Sequence, residues 1–418
     1  MTCDRSLIKI RLKQFIFRFN NMKVLVLNCG SSSIKFKLID MPANVVLESG
    51  GIEKLGLPDS FLKYKKGEGA KAQIDKSIPT HLEGIHLILD VLTGKETGVI
   101  SSLNEIDAVG HRVVHGGEKF ASSVLITPDV IKQIEDCKKL APLHNAPNLT
   151  GIEAISKLLP TVPQVAVFDT AFHQSIPEKA FMYALPYELY KNDGIRRYGF
   201  HGTSHRFVSG RAIELMGGKK GLKMITCHIG NGGSISAIND GKSVDTSMGL
   251  TPLDGLMMGT RCGDIDPAVV SFLMDAKGWS AKEVSDVMNK KSGLAGLSGV
   301  SSDMRDVVAA VKSGNKQATM AYDVFNYRIK KYIGAYTAAL GGLDVLVFTG
   351  GMGENEAPVR KAICENMEYL GIKLDESKNE GMREEGVIST DDSHVKVFVI
   401  PTDEEYMIAL DTLNIVGK

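Results

Sequence analysis

Arginines embedded in turns of small and aromatic residues carry the clearest chemical signal in this sequence. Arg112 stands in Gly110-His111-Arg112-Val113-Val114-His115-Gly116-Gly117, and Arg261 in Gly259-Thr260-Arg261-Cys262-Gly263-Asp264. Arg305 closes Ser301-Ser302-Asp303-Met304-Arg305, and Arg196-Arg197 lead into Tyr198-Gly199-Phe200-His201. A lone arginine is usually a solvated surface residue. Several in Gly/Ser/His loops point to anions handled at a defined site. The pairs His111/His115 and His201/His205 have an H-x-x-x-H spacing that invites a metal reading. Neither holds the intervening Glu of a zinc protease, and the first pair falls at a strand end, where residues four apart lie ~13 Å from each other. A transition-metal site is not expected.

Glycine-rich turns supply a second kind of anion contact. Asn28-Cys29-Gly30-Ser31-Ser32-Ser33, with Lys35, brings hydroxyls, bare backbone and an ammonium into one strand–turn–strand. Alone it reads equally well as a hairpin built of convenient small residues. His228-Ile229-Gly230-Asn231-Gly232-Gly233-Ser234 repeats the idea in the second half of the chain, and the repetition favours phosphate binding. Gly351-Met352-Gly353, after an apolar strand, imitates a dinucleotide loop, but Glu356 stands where that motif needs glycine. It fits better as a backbone cradle for part of a nucleotide. No G-x-x-x-x-G-K-[ST] is present, so a P-loop enzyme is excluded.

The elements that position these residues follow an α/β pattern. Lys23–Cys29 reads as a buried strand, Ile34–Asp40 as an alternating one, and Val45–Glu48 as a third, which predicts an antiparallel βββ unit. Leu222–Ile229, Ser234–Asn239 and Lys242–Asp245, with Asp240-Gly241 as hairpin turn, repeat that unit. Two related α/β domains facing each other across a cleft are the expected architecture. Ser280-Ala281-Lys282-Glu283 is a capping box opening a helix, and Lys316–Leu340 is a long helix stopped by Gly341-Gly342. Leu343–Phe348 is then a buried strand, Thr349–Gly353 a glycine loop, Val395–Ile400 a strand, and Asp403–Leu413 a terminal helix.

Composition agrees with a folded globular protein. The 418 residues include 49 Lys+Arg and 49 Asp+Glu, a balance that argues against a dedicated nucleic-acid binder or a polybasic membrane anchor. Glycine, 43 residues, is about 10% of the chain against a usual ~7%, and it falls in turns rather than repeats. The six cysteines are scattered without C-x-x-C, as expected of reduced thiols in the cytoplasm. No apolar run approaches the ~18 residues of a membrane span. Residues 1–21 are basic and interrupted by charge, so they read as an extension outside the fold, a transit peptide or a basic arm being the alternatives.

In order, from Met22 to the C-terminus, these blocks resemble the acetate kinase family. The matching residues are Val26–Lys35, Gly110–Glu118, Pro142–Asn145, Phe168–His173, Arg197–His205, His228–Gly232, Gly259–Asp264, Ser302–Arg305 and Thr349–Asn355. The resemblance implies the acetate and sugar kinase/Hsp70/actin superfold: duplicated ribonuclease-H-like (actin-like ATPase) domains. Residues 22–170 with the returning helix 403–418 would form the first domain and 171–402 the second. It also implies reversible, Mg²⁺-dependent transfer of the ATP γ-phosphoryl group to acetate, giving acetyl phosphate and ADP, with Mn²⁺ as a substitute metal. A short-chain acyl kinase preferring propionate is the alternative. A homodimer is implied by resemblance only.

By the same resemblance Arg112 and Arg261 orient the carboxylate and the transferring phosphoryl group. His201 donates to its equatorial oxygens, His144 supports, and Asp169 orients the metal or an arginine. Asn28 and Glu404 match metal-associated positions. Lys35, His228, Ile229, Gly230, Asn231, Gly232, Asp303, Met304, Arg305, Gly351, Met352, Gly353, Glu354 and Asn355 match nucleotide contacts. Val114, Leu143, Phe200 and Pro252 correspond to a small apolar pocket for the acetate methyl. Acetate, with a pKa of about 4, is already an anion at pH 7 and needs no general base. The obstacle is bringing an anion to a polyanion, which an Arg/His-rich site answers. Cys29 and Cys262 are expected to be bystanders. Two rivals share the fold: an ATP-driven clamp leaves the Arg/His set unexplained, and a sugar kinase needs a carboxylate base for a neutral hydroxyl.

Overall fold

The structure, a computed structural model, describes residues 21–417, with only the backbone of Pro142 and Leu143. Residues 1–20 of the leader and the side chain of Leu143 therefore lie outside the described residues. The chain divides into two compact units, one ending at Ala171 and taking up the C-terminal segment from Asp403, the other spanning Phe172–Thr402.

The first unit is built on eight strands: β1 (Met22–Cys29), β2 (Ile34–Met41), β3 (Val45–Glu53), β4 (Phe61–Lys66), β5 (Lys71–Asp75), β6 (Ala108–Val113), β7 (Val124–Leu125) and β8 (Gln164–Phe168). Their order is β5-β4-β3-β2-β1-β6-β8-β7. Strands β1 to β5 pair as antiparallel neighbours, while β1–β6 and β6–β8 are parallel. One sheet face buries Leu25, Leu27, Ile34, Phe36 and Val109 against the helices His81–Thr93 and Pro142–Leu158. The other buries Val24, Val26, Val165 and Val167 against Ile408 and Leu413 of the terminal helix Glu404–Val416. That helix comes unusually close to β6 because Gly110 has no side chain. A Cβ there would stand 2.6 Å from both Ile408 Cγ2 and Thr412 Oγ1.

The second unit holds β9 (Lys223–Ile229), β10 (Gly233–Asn239), β11 (Lys242–Thr246), β12 (Val345–Thr349), β13 (Gly386–Val387) and β14 (Lys396–Val399), ordered β11-β10-β9-β12-β14-β13. Again an antiparallel β9–β10–β11 meander joins a parallel run, β9–β12–β14. The predicted hairpin turn is present, with Asp240 at φ 48° and Gly241 at φ 77°, as a two-residue turn with φ positive at both positions requires. The predicted helix Lys316–Leu340 matches the observed bounds, capped by Asn315 and stopped by Gly341 in the left-handed region. Its apolar stripe, including Phe325, Ile329 and Ile333, packs in the main core of this unit.

Two local expectations need correction. The presumed glycine loop after β12 is helical: Gly350–Asn355 forms a short α-helix begun by Thr349 in extended conformation. Glu354 makes this possible, its Oε1 accepting the Gly350 N–H at 2.8 Å and the Thr402 N–H at 3.2 Å. Ile106–Val109 reads as an apolar strand with Arg112 just past it, but the strand covers Ala108–Val113 and includes Arg112. Among the described residues no helix is long and apolar enough to cross a membrane.

Candidate active site

In the first unit the candidate side chains Arg112 and Asp169 lie at the carboxyl ends of parallel strands, where open α/β sheets place ligands. Arg112, on β6, and Asp169, immediately after β8, are adjacent because Arg112 pairs with Val167 and Val113 with Phe168. The Arg112 Nε donates to Asp169 Oδ1 at 3.1 Å and Oδ2 at 3.0 Å. Burial alone would lower the Arg112 pKa, but the charges of Asp169, Glu404 and Glu405 hold it above its ordinary value. Glu404 opens the terminal helix, and burial pushes its carboxyl up to about 7, with Arg112 and Lys35 pulling the other way. Asn28 lies on β1 directly opposite Lys35 of β2.

The helix Pro142–Leu158 pins these strand ends. Asn148 Oδ1 accepts the Val114 N–H at 3.0 Å, and its Nδ2 donates to the Cys29 carbonyl at 2.8 Å. Asn145 holds both backbone groups of His115 in the same way. Sequence reading assigned these asparagines no role; Asn145 stood beside His144 in a quoted motif, and Asn148 three positions further along the same helix. His144 lies in the first turn, and Val114 is buried. His111 and His115 are structural: His111 Nε2 meets Gln164 Oε1 at 2.8 Å, and His115 Nδ1 accepts the Gly117 N–H at 3.0 Å. Burial in the sheet pushes the Cys29 thiol up to about 12, consistent with an inert bystander.

In the second unit the two glycine-rich segments pack backbone to backbone. Strands β9 and β12 are parallel neighbours with Thr349 beside His228. The Gly230 N–H donates to the Gly232 carbonyl at 3.0 Å, which closes the turn. A Cβ on Gly230 would lie 4.0 Å from the Gly351 nitrogen, and one on Gly350 only 2.9 Å from the Ile229 carbonyl. Ile229, Met352 and Met304 put their side chains into the core, so any ligand contact at these positions is through backbone. Asp303 caps the helix Met304–Lys312; the hydrogen bonds from Arg305 bring its carboxyl down to about 2. Asn355 Nδ2 donates to the Gly351 carbonyl at 2.9 Å.

Arg261 and His201 converge on the same turn. A Cβ placed on Gly232 would stand 3.4 Å from Arg261 Nη1 and 3.7 Å from His201 Nε2. The Arg261 loop is tied there because the Gly259 N–H donates to the Asn231 carbonyl at 3.0 Å. Arg261 donates to the Pro252 carbonyl at 3.3 Å and meets no carboxylate among the described residues; burial lowers its pKa. A half-buried cation without a counter-ion is costly to keep charged unless an anion joins it. His201 precedes the helix Gly202–Leu215 with φ 54°, a left-handed conformation uncommon for histidine. Its ring stacks on His228 with centroids 4.2 Å apart, and its Nδ1 lies 2.9 Å from Ser234 Oγ. Phe200 beside it is buried.

A family model for the acetokinase family matches residues 23–410. The chain belongs to the acetokinase family. Acetate kinase of Parabacteroides distasonis is 62% identical over 399 residues, 95% of this chain and 100% of that one. The crystal structure of acetate kinase from Porphyromonas gingivalis superposes with a TM-score of 0.91 at 57% identity, covering 94% of this chain and 99% of that chain. A propionate kinase from Francisella tularensis is 43% identical, with a TM-score of 0.88 over 94% of this chain and 100% of that chain.

Proposed function

We propose that this protein is an ATP:acetate phosphotransferase whose two units are duplicated ribonuclease-H-like (actin-like ATPase) domains, 22–170 with 403–418 and 171–402. The shared meander-then-parallel topology of the two sheets supports the duplication. The observation that carries the functional reading is Arg261: a cation without a carboxylate partner among the described residues, beside a glycine turn and His201. Family membership supports acetate and the ATP γ-phosphoryl group as the anions it awaits.

An acetate oxygen attacks the γ-phosphorus; the new O–P bond forms as the bond to the β–γ bridging oxygen breaks, and ADP leaves with that electron pair. The transition state is loose, so the protein's work is positioning and charge stabilisation. Arg112, fixed by Asp169, orients the carboxylate, and Arg261 draws the phosphoryl oxygens. His201 donates to the equatorial oxygens, with His144 in support. The family resemblance assigns the acetate methyl to Val114, Leu143, Phe200 and Pro252, of which Val114 and Phe200 are buried. Lys35, the backbone of 228–232 and 351–355, and Asp303–Arg305 take the nucleotide.

Among the described residues no three His, Cys, Asp or Glu gather in a metal cage. Mg²⁺ takes one or two hard oxygen ligands from a protein and keeps waters and phosphate oxygens for the rest. Asn28 and Glu404 offer such donors. When bound, Mg²⁺ neutralises charge on the β- and γ-phosphate oxygens.

The hydroxamate assay with ATP, Mg²⁺ and acetate tests the reading: no acetate-dependent acetyl phosphate would sink it. Propionate is the second reading, favoured by the likeness to the Francisella propionate kinase. One methylene is worth about 1–3 kcal/mol in an apolar pocket, so an acetate, propionate and butyrate panel decides the preference. The unpaired Cys29, Cys137, Cys227, Cys262 and Cys364 support a reducing, cytoplasmic setting. A homodimer completes the reading, and light scattering on the purified protein checks it.

A further inference from the structure

His201 carries its chemistry at one ring nitrogen, so the position of its proton matters. Three buried side chains lie behind it: Ser234, His205 and Thr226. Ser234 Oγ is 2.9 Å from His201 Nδ1 and 2.7 Å from His205 Nε2, and Thr226 Oγ1 is 2.7 Å from His205 Nδ1. We infer that Thr226, His205 and Ser234 form a one-way hydrogen-bond chain that places the proton of neutral His201 on Nε2. Ser234 and His205 are then positioning residues for this histidine.

The direction follows from counting donors. Burial, with His173 and His228 nearby, keeps His205 well below the ordinary histidine pKa, so its ring is neutral and has a single N–H. The Thr226 hydroxyl makes its one side-chain hydrogen bond to His205 Nδ1. If Thr226 accepted there, its own hydrogen would be buried without an acceptor, at a cost of about 1–3 kcal/mol. Thr226 therefore donates to Nδ1, and His205 carries its proton on Nε2. That N–H donates to Ser234 Oγ, whose hydrogen is left for His201 Nδ1. An acceptor at Nδ1 leaves the His201 proton on Nε2, the atom 3.7 Å from the Cβ position of Gly232, where Arg261 also arrives.

The chain gives His201 a donor toward the phosphoryl oxygens without an imidazolium. A protonated His201 would donate from Nδ1 as well, and Ser234 would then accept from both rings with its own hydrogen stranded. The stack on His228, itself held by Ser204 Oγ at 2.8 Å from its Nδ1, fixes the plane in which Nε2 points.

The inference rests on the phosphotransfer reading for its purpose but not for its first test. Long-range ¹H–¹⁵N spectra of the full-length protein labelled in histidine, with His201 assigned from His201→Gln, report the tautomer directly. The expected wild-type spectrum shows His201 protonated on Nε2 alone; protonation on Nδ1 overturns the chain. Ser234→Ala is expected to mix the tautomers and lower kcat about 10²-fold, with KM for acetate and ATP within about threefold, while Ser234→Thr restores both. Thr226→Val, which keeps the shape and removes only the first donor, is expected to mix the tautomers too. A wild-type kcat in Ser234→Ala, or an unchanged His201 tautomer in Thr226→Val, overturns the inference. An Nε2 tautomer in a protein that fails the hydroxamate assay would instead discard the phosphotransfer reading and leave the chain standing.

Discussion

Arg112 grips Asp169 through both carboxylate oxygens, at 3.1 and 3.0 Å from Nε, whereas Arg261 has no acidic partner among the described residues. The two arginines therefore fail differently when removed. Arg112→Ala and Arg261→Ala should each lower kcat by about 10²–10³-fold, the usual loss for a donor to developing charge. Only Arg112→Ala should also lower Tm, because it strands the buried Asp169 carboxylate. For a fully buried pair that costs roughly 3–5 kcal/mol, and less here since Arg112 keeps some solvent contact. Steady-state kinetics and thermal melts on the same samples check both halves. Equal melting temperatures for the two variants would contradict the asymmetry.

Glycines in the second unit's turns divide by what a methyl would meet. Gly232 has room for a Cβ, but the methyl would intrude between Arg261 and His201. Gly232→Ala should fold with an unchanged Tm and lose activity by tenfold or more. Gly350 has φ 76° and a Cβ position 2.9 Å from the Ile229 carbonyl. Gly350→Ala should therefore be destabilised by about 1–2 kcal/mol or more, from strain alone. Gly351 meets nothing within 4 Å among the described residues, so Gly351→Ala should keep the wild-type Tm and serves as the control for stability alone. A Gly232→Ala variant with full kcat would remove this turn from the site.

Much of this arrangement was legible in the chain, and the limits have physical causes. The two βββ units were readable because apolar alternation and tight turns are local signals. Arg112 and Arg261 stood out because cations among glycines are rare in ordinary surface loops. The helical start at Gly350 was not readable: glycine is a poor helix former, and the acceptor that rescues the turn, Glu354, reveals itself only once folded. Asn148, which holds Val114 at a separation of 34 residues and Cys29 at 119, leaves no local pattern. Ser234 was read as one more small residue of a glycine turn. Its role as the link between two histidines needs the antiparallel pairing of β10 with β9 and the helix Gly202–Leu215 packed beside them.

Glu404 and Asn28 carry the proposed Mg²⁺ contacts, and Glu404 sits where Arg112, Asp169, Glu405 and Lys35 all act on its charge. Glu404→Gln keeps the size and removes the anion. It should raise the Mg²⁺ concentration for half-maximal rate by tenfold or more at fixed ATP, with a smaller loss of kcat at saturating metal. Mg²⁺ titrations of initial rate measure this. An unchanged Mg²⁺ requirement would place the metal elsewhere.

Glu48 offers a prediction about stability rather than turnover. It sits on β3, fully buried, and among the described residues neither carboxylate oxygen has a hydrogen-bond partner. Burial pushes its carboxyl up to about 7, while Lys66 pulls it down. A raised pKa in the folded state means that folding favours the protonated acid, so the contribution is intact at low pH and is lost as pH rises. Below about pH 4 the group is protonated folded or unfolded and costs nothing. Between there and about pH 7 the unfolded chain gives up the proton first, and stability falls. Above about pH 7 both forms are ionised and the penalty is constant, roughly 3 kcal/mol at 1.36 kcal/mol per pKa unit. Glu48→Gln removes the titration, so its Tm should exceed wild type by several degrees at pH 8 and approach it at pH 4.5. Melting curves across that range decide the matter, and a difference that does not grow with pH would mean that Glu48 is stabilised by a contact the fold does not display.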